Sequence, residues 1–133
     1  MKTKTIRQTI SLPASPHDVY ATLMSGGKLS KMHGSKATMS RKVDGKFSVF
    51  DGYCHGINLR LEQGHLIEQA WHFREDGWPE DYFSTCLFIL TPTISGTKLV
   101  FNHKGVPERN YEEIKRGWKL YYWEPLIACL TDS

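Results

Sequence analysis

The residues best suited to chemistry are two histidines and a glutamine set among apolar neighbours in alternating segments. His55 shares a phase with Tyr53, Ile57, Leu59 and Leu61; Gln69 with Ile67, Trp71 and Phe73; His103 with Leu99 and Phe101. These phases are expected to face the interior, which makes His55, Gln69 and His103 polar exceptions in an apolar setting. A buried polar group left without a partner costs about 1–3 kcal/mol. Each must therefore bond a backbone group or a water, orient the polar end of a ligand, or belong to a metal or acid–base site. Histidine titrates near neutral pH, so His55 and His103 are the candidate general bases. Cys54 and His55 are adjacent and point to opposite faces of a strand, so they do not readily share an ion. The histidines also lack the tight ligand spacing of a zinc site. The chain contains no Gly-x-Ser-x-Gly elbow, no His-Glu-x-x-His pair and no phosphate loop. The expectation is binding rather than catalysis, with no metal and no cofactor.

Aromatic residues supply the apolar surface. Trp71, Phe73, Phe88, Phe101, Trp118 and Tyr122 are the candidate walls of a cavity. The competing reading is that they simply fill the core, where aromatics dominate burial. Trp78-Pro79, in the charged stretch from Arg74 to Asp81, is either part of a lid or the anchor of a long loop.

The elements that must position these groups read as follows. Residues 5–12 alternate, with Ile6, Ile10 and Leu12 on one side, and predict a half-buried strand. Ser15, Pro16 and Asp18 form a helix start: an N-cap, a first-turn proline and an acid at the positive end of the dipole. This helix is predicted to reach about Met24, with Val19 and Leu23 buried. Gly26-Gly27 is expected to break it, and a short second helix follows over about 28–32. From Ala37 to Gly105 the pattern is antiparallel strands, punctuated by Asp44-Gly45, Asp51-Gly52, Gln63-Gly64, Asp76-Gly77 and Ser95-Gly96. Both faces of the 83–90 strand carry apolar residues; Cys86, Phe88 and Leu90 are expected inward. After Pro107 helical spacing takes over. Tyr111, Ile114, Trp118, Tyr121, Tyr122, Pro125, Leu126 and Cys129 form one stripe. Leu120, Trp123 and Ile127 fall off it and are expected at a sheet edge or a subunit contact. Pro125 removes a backbone hydrogen bond and predicts a kink.

Composition narrows the function classes. The 133 residues fit one domain spanning 1–133, and 40% hydrophobic content with 12% aromatics fits a folded core. Lys and Arg exceed Asp and Glu by 17 to 14, a net charge of +3. The densest basic stretch holds Lys28, Lys31, Lys36, Arg41 and Lys42 among serines and glycines. It lacks the tight, aromatic-interleaved stripe of a nucleic-acid binder. Cys54, Cys86 and Cys129 are widely spaced without a C-x-x-C pair, which favours free thiols. The polar segment 1–7 has no apolar signal core, and no stretch approaches a membrane span. A cytoplasmic protein is expected.

The element order is strand, two short helices, several strands, one long helix. One helix covers a strongly twisted sheet only if the sheet curls around it. The inner face of such a sheet is wider than one helix, and the remaining concave space suits a small, mostly apolar ligand. At this point a resemblance becomes specific. Val43-Asp44-Gly45-Lys46-Phe47, Phe50-Asp51-Gly52-Tyr53 with Gly56, Ile67-Glu68-Gln69-Ala70-Trp71 and Gly77-Trp78-Pro79 carry it. So do Gly105-Val106-Pro107, Gly117-Trp118, Tyr121-Tyr122-Trp123 and Pro125-Leu126. Together they resemble small bacterial proteins similar to the C-terminal domain of the Hsp90 ATPase activator, in the START-like (SRPBCC) superfamily with polyketide cyclases and plant Bet v 1 proteins. The resemblance covers nearly the whole chain. It implies an α+β helix-grip fold: a curved antiparallel sheet wrapped around a long C-terminal helix, with a hydrophobic cavity between them and no obligatory cofactor. Asp44-Gly45 stands where the family often has Gly-Gly, and Trp71-His72 where it often has Trp-Arg. The activator's separate N-terminal domain, with its Asn-Asn-Trp-His-Trp type motif, has no counterpart here. The expected function is binding of a small apolar or amphipathic molecule in that cavity; the alternatives are a cyclase- or hydrolase-like reaction on aromatic or polyketide-like substrates, by analogy of fold, and protein contact with a chaperone or in a homodimer.

Overall fold

The computed structural model describes residues 1–131. The first strand, β1 (Thr3–Leu12), buries Ile6 and Leu12 and leaves Ile10 half-buried. Ser15 then caps α1 (Pro16–Leu23), its Oγ accepting from the Asp18 N–H at 3.2 Å, with Val19 and Leu23 buried. The two glycines do not act as breakers. Helix α1 ends at Leu23, Ser25 caps the next helix by accepting from the Lys28 N–H, and Gly26 and Gly27 open α2 (Gly26–His33). Backbone permissiveness was the reason to expect a break; the cap outweighs it because it satisfies an otherwise orphaned donor. Gly34 ends α2 in the left-handed conformation, with φ 67°.

The strands β2 (Thr38–Met39), β3 (Lys46–Val49), β4 (Cys54–Glu62), β5 (Leu66–Phe73), β6 (Ser84–Thr93) and β7 (Gly96–Pro107) follow. They form one seven-stranded sheet in the order β1-β7-β6-β5-β4-β3-β2. All its pairings are antiparallel. Its inner face carries Phe47 and Val49, then Ile67, Gln69, Trp71 and Phe73, then Cys86, Phe88 and Leu90, then Leu99, Phe101 and His103, all buried.

The inner face of β4 differs from the expectation. Cys54, Gly56 and Asn58 point inward and are buried, while His55 and Ile57 are half-buried and Leu59 is 39% exposed. Two features explain the reversal. Gly56 pairs with both Phe47 and Trp71, and the rings of Phe47 and Trp71 meet at 5.0 Å across its missing side chain. The register then shifts between Asn58 and Arg60, which returns Leu61 opposite Ile67 and against the core. A bulge of this kind switches the phase of everything after it.

The C-terminal helix runs as α3 (Tyr111–Trp118), a π-helical segment (Lys119–Trp123) and α4 (Glu124–Thr131). Pro125 supplies no N–H, and the wide turn sits immediately before it, with the Glu124 N–H bonding Lys119 O. The extra residue in that turn rotates the buried stripe. Trp123 becomes buried and Tyr121, expected inward, is 61% exposed. Leu126 and Leu130 continue the buried face, while Leu120 and Ile127 remain exposed at 44% and 37%. Gln8 of edge strand β1 holds the widened turn: its Oε1 accepts from Trp123 Nε1 at 2.7 Å, and its Nε2 donates to Lys115 O at 3.3 Å. Trp123 thus covers a sheet edge rather than a subunit contact. No helix among the described residues is long and apolar enough to cross a membrane.

Candidate functional site

A cleft of about 270 Å³ lies between α3 and the sheet. The sheet side contributes Cys54, Trp71 and Phe73, the β3–β4 turn contributes Phe50 and Tyr53, and the helix side contributes Ile114, Gly117, Trp118, Tyr121 and Tyr122, with Glu113 at the rim. Gly117 helps to create the space. A β-carbon there would find only Tyr121 Cδ2, at 3.7 Å. The aromatic walls support one another: Trp71 packs on Trp118 at 5.1 Å and Trp118 on Tyr122 at 4.8 Å.

Three polar groups of the cleft, Cys54, Tyr53 and Tyr122, are held in their neutral forms. Burial, followed by the Glu75 charge, raises the Cys54 thiol well above its usual range, so no thiolate is available. Burial and then the hydrogen bond to Glu75 raise the Tyr53 phenol, whose hydroxyl donates to the Glu75 carboxylate. Burial also raises Tyr122. The surface suits the apolar body of a small molecule and contains no activated nucleophile among these groups.

Four of the predicted wall residues, Trp71, Phe73, Trp118 and Tyr122, line this cleft. Phe88 and Phe101 lie beneath it: they pack on each other at 5.0 Å, and Phe101 packs on Trp118 at 4.4 Å and Trp123 at 5.0 Å. Both are core filling. Trp78 is a loop anchor. It is buried against Phe73 at 4.6 Å and donates from Nε1 to Tyr82 O at 3.0 Å.

Gln69 and His103 are inward but fully engaged. Trp71 Nε1 donates to Gln69 Oε1 at 2.9 Å, Gln69 Nε2 donates to Asn58 Oδ1 at 2.9 Å, and Asn58 Nδ2 donates to Ser40 O and Lys42 O at 2.8 and 3.0 Å. This chain of bonds ties the 40–45 turn through β4 and β5 to the cleft wall. At His103 the donors dictate the tautomer. Trp118 Nε1 can only donate, so His103 Nδ1 accepts, at 3.0 Å. Ser84 Oγ donates to Trp71 O at 3.1 Å, so His103 Nε2 carries the proton and donates to Ser84 Oγ at 2.7 Å. Burial holds this imidazole's pKa down to about 3. Both ring nitrogens are spent joining the helix to β6 and β7, and neither is free to act as a base.

His55 is on the outer face of the sheet, which corrects its expected side. It pairs across strands with His72 at 5.0 Å between ring centroids and packs on Phe83 at 5.8 Å. Burial, His72 and Arg74 lower its pKa. His55 and His103 are therefore on opposite faces of the sheet, and among the described residues no group of three or more His, Cys, Asp or Glu is placed to hold a metal ion.

Phe50, Cys54 and Gly117 of the cleft, and Asn58 and Ser84 of the supporting bonds, are not singled out as site residues by the sequence pattern. Gly56 was the available signal for β4, since a glycine inside a strand marks a close approach. Hydrophobic phase does not place Phe50, whose position depends on a turn with φ 55° at Phe50 and 54° at Asp51.

Residues 13–131 match the family described as activator of Hsp90 ATPase homolog 1-like protein. An activator of 90 kDa heat shock protein ATPase homolog from Dictyostelium discoideum is 30% identical over 120 residues, covering 88% of this chain and 30% of that protein. Activator homolog 1 from Homo sapiens is 27% identical over 110 residues, covering 83% of this chain and 32% of that protein. The chain thus spans about a third of the length of these relatives. Among solved structures, an HSP90 activator from Plasmodium falciparum superposes with a TM-score of 0.85 at 26% identity, covering 96% of both chains. The Aha1 dimer from Colwellia psychrerythraea superposes with a TM-score of 0.78 at 18% identity, again over 96% of both chains, and shows the same fold. A family match over nearly the whole chain, joined to a helix-grip sheet that superposes on a solved relative over 96% of both chains, means that this protein belongs to the activator of Hsp90 ATPase homolog 1-like family of the START-like superfamily.

Proposed function

We propose that this protein binds a small apolar or amphipathic molecule in the cleft between α3 and the sheet. The observation that carries the reading is the cleft itself, about 270 Å³ walled by Phe50, Trp71, Phe73, Trp118 and Tyr122. Ligand pockets run from roughly 300 to 1,000 Å³ and are mostly apolar with a few polar groups. The volume is at the small end, which favours a molecule of one or two rings. The three free thiols, with Cys54 and Cys86 buried, support action in the cytoplasm. A thermal-shift titration with 2-methylnaphthalene tests the reading. Binding to the folded state alone raises stability by about 2.7 kcal/mol when the probe is at a hundred times its Kd. Gly117→Leu, which fills the cleft from the helix side, is expected to abolish the shift. No shift in the unmodified protein, together with no small molecule retained in native mass spectrometry of protein from its own host, would overturn the proposal.

A second reading is protein contact, with an Hsp90-type chaperone or a second copy of the chain. The relatives are named as activators of a 90 kDa heat shock protein ATPase, and one solved relative is a dimer. Leu120, Tyr121 and Ile127 are exposed on the C-terminal helix and offer an apolar contact. Light scattering distinguishes monomer from dimer, and a chaperone's ATPase rate with and without this protein tests the other contact. Leu120→Lys with Ile127→Lys is expected to abolish whichever is found. A cyclase- or hydrolase-like reaction has no comparable support, since His55 faces away from the cleft and both nitrogens of His103 are bonded.

A further inference from the structure

His33 closes α2, and both of its ring nitrogens are buried without a hydrogen-bond partner. Buried polar groups are nearly always bonded, so an imidazole with two orphaned nitrogens calls for a reason. Its neighbours supply one. Phe50 stacks on the ring with centroids 4.1 Å apart and planes 24° apart, and Tyr122 packs against it at 4.9 Å. Phe50 and Tyr122 are both walls of the cleft. His33 is therefore one ring behind the cleft surface, and Phe50 covers it.

The cover sits on a strained turn. Phe50 and Asp51 have φ of 55° and 54°, and Gly52 follows at 88°. A left-handed conformation is uncommon for any residue with a β-carbon and a real outlier for a bulky aromatic; such strain concentrates at ligand clamps. The turn is anchored on one side by the Asp51 N–H donating to Lys36 O at 2.9 Å.

We propose that Phe50 is a displaceable cover and that His33 is the polar anchor of the cleft, receiving the hydroxyl or carbonyl head of an otherwise apolar ligand once Phe50 swings aside. This rests on the reading of the cleft as a ligand site. A neutral imidazole offers one donor and one acceptor, which matches a hydroxyl. Burial holds the pKa of His33 down to about 4, so the ring is neutral at physiological pH and an anionic head has no charged partner there.

Calorimetric titration of 2-naphthol against 2-methylnaphthalene tests the proposal. The two differ by a hydroxyl for a methyl. In a cleft without a partner, 2-naphthol binds more weakly, because its hydroxyl sheds water for nothing. With His33 as partner, the native protein is expected to prefer 2-naphthol by about fivefold, the worth of one net neutral hydrogen bond. His33→Phe keeps the stack and is expected to abolish or reverse the preference. In the native protein, NMR signals of the His33 ring are expected to move with 2-naphthol and not with 2-methylnaphthalene, a readout that requires no variant. Equal affinities for the two probes, a preference that survives His33→Phe, or an unmoved His33 ring would overturn this inference and leave the cleft standing. Binding of neither probe would overturn both.

Discussion

Replacing His103 with leucine tests the account of the helix–sheet joint, and its sharpest consequence is a dependence on pH. At pH 7 the variant loses both imidazole hydrogen bonds and strands the Trp118 indole N–H in a fully buried site. An orphaned buried donor costs about 1–3 kcal/mol. An expected loss of about 2 kcal/mol corresponds to ~7 °C in Tm for 133 residues at roughly 2.1 cal/mol/K of unfolding entropy per residue. Acid acts on the native protein differently. The His103 pKa falls from 6.5 to about 3 on folding because burial opposes the charged ring. The stability held in its neutral form is complete above 6.5 and is lost as the pH falls from 6.5 toward 3, since the unfolded chain takes up a proton that the folded ring refuses. At about 1.4 kcal/mol per pH unit, the loss between pH 7 and pH 5 is about 2 kcal/mol. The leucine variant has no such group. His33 shifts in the same direction but is present in both proteins and cancels in the difference. The gap between the two proteins is therefore expected to shrink from about 2 kcal/mol at pH 7 to near zero at pH 5. Urea denaturation followed by tryptophan fluorescence at pH 7, 6 and 5 measures it. A gap that stays constant with pH would refute the neutral, doubly bonded imidazole.

Three further substitutions probe other parts of the argument. Gln69→Leu strands both Trp71 Nε1 and Asn58 Oδ1; two orphans at about 1–3 kcal/mol each predict a loss of about 2–6 kcal/mol in urea, and a loss under ~1 kcal/mol would contradict the bond chain. Gly56→Ala places a β-carbon 1.7 Å from Ala70 O and 2.9 Å from Phe47 Cε2; calorimetry is expected to show destabilisation of about 2 kcal/mol or more, and an unchanged Tm would mean that β4 does not present this face inward. His55→Ala, on the outer face, is expected to change stability by less than about 0.5 kcal/mol, whereas a core loss several times larger would return His55 to the interior.

How far the sequence is legible depends on how local each signal is. The Ser15 cap, the inward phases of β5, β6 and β7 and the order of elements all follow from residues within one turn or one strand of each other. Each could be read directly, and the long helix in the curved sheet followed from their order. The failures share a different character. On β4 the apolar alternation of Ile57 and Leu59 pointed outward because the strand is bound by partners far away in sequence: Phe47 and Trp71 meeting over Gly56, and Asn58 reaching Ser40 O and Lys42 O. Hydrophobic phase is a good guide only where no such tertiary demand competes, and a glycine and an asparagine answered this one. On the helix, Pro125 correctly marked an irregularity, but a kink preserves the phase of the stripe whereas a π turn shifts it, which exchanged Tyr121 for Trp123.

The cleft was the least legible part, for a reason that follows from how it is built. Trp71, Phe73, Trp118 and Tyr122 could be named because large aromatics at inward positions are conspicuous. They cannot by themselves make a space; left to pack freely, aromatics close on one another as Phe88 and Phe101 do. The space comes from what is missing at Gly117 and from two fixed frames on either side of it. One is the Gln69–Asn58 bond chain that holds Trp71 upright, and the other is the Ser84–His103 pair that holds Trp118. Gln69 and His103, which looked like ligands' partners, are thus the posts of the walls. Their conspicuous burial reports the rigidity the cleft needs, while His33, unbonded behind Phe50, carries no mark in the sequence beyond a histidine at a helix end.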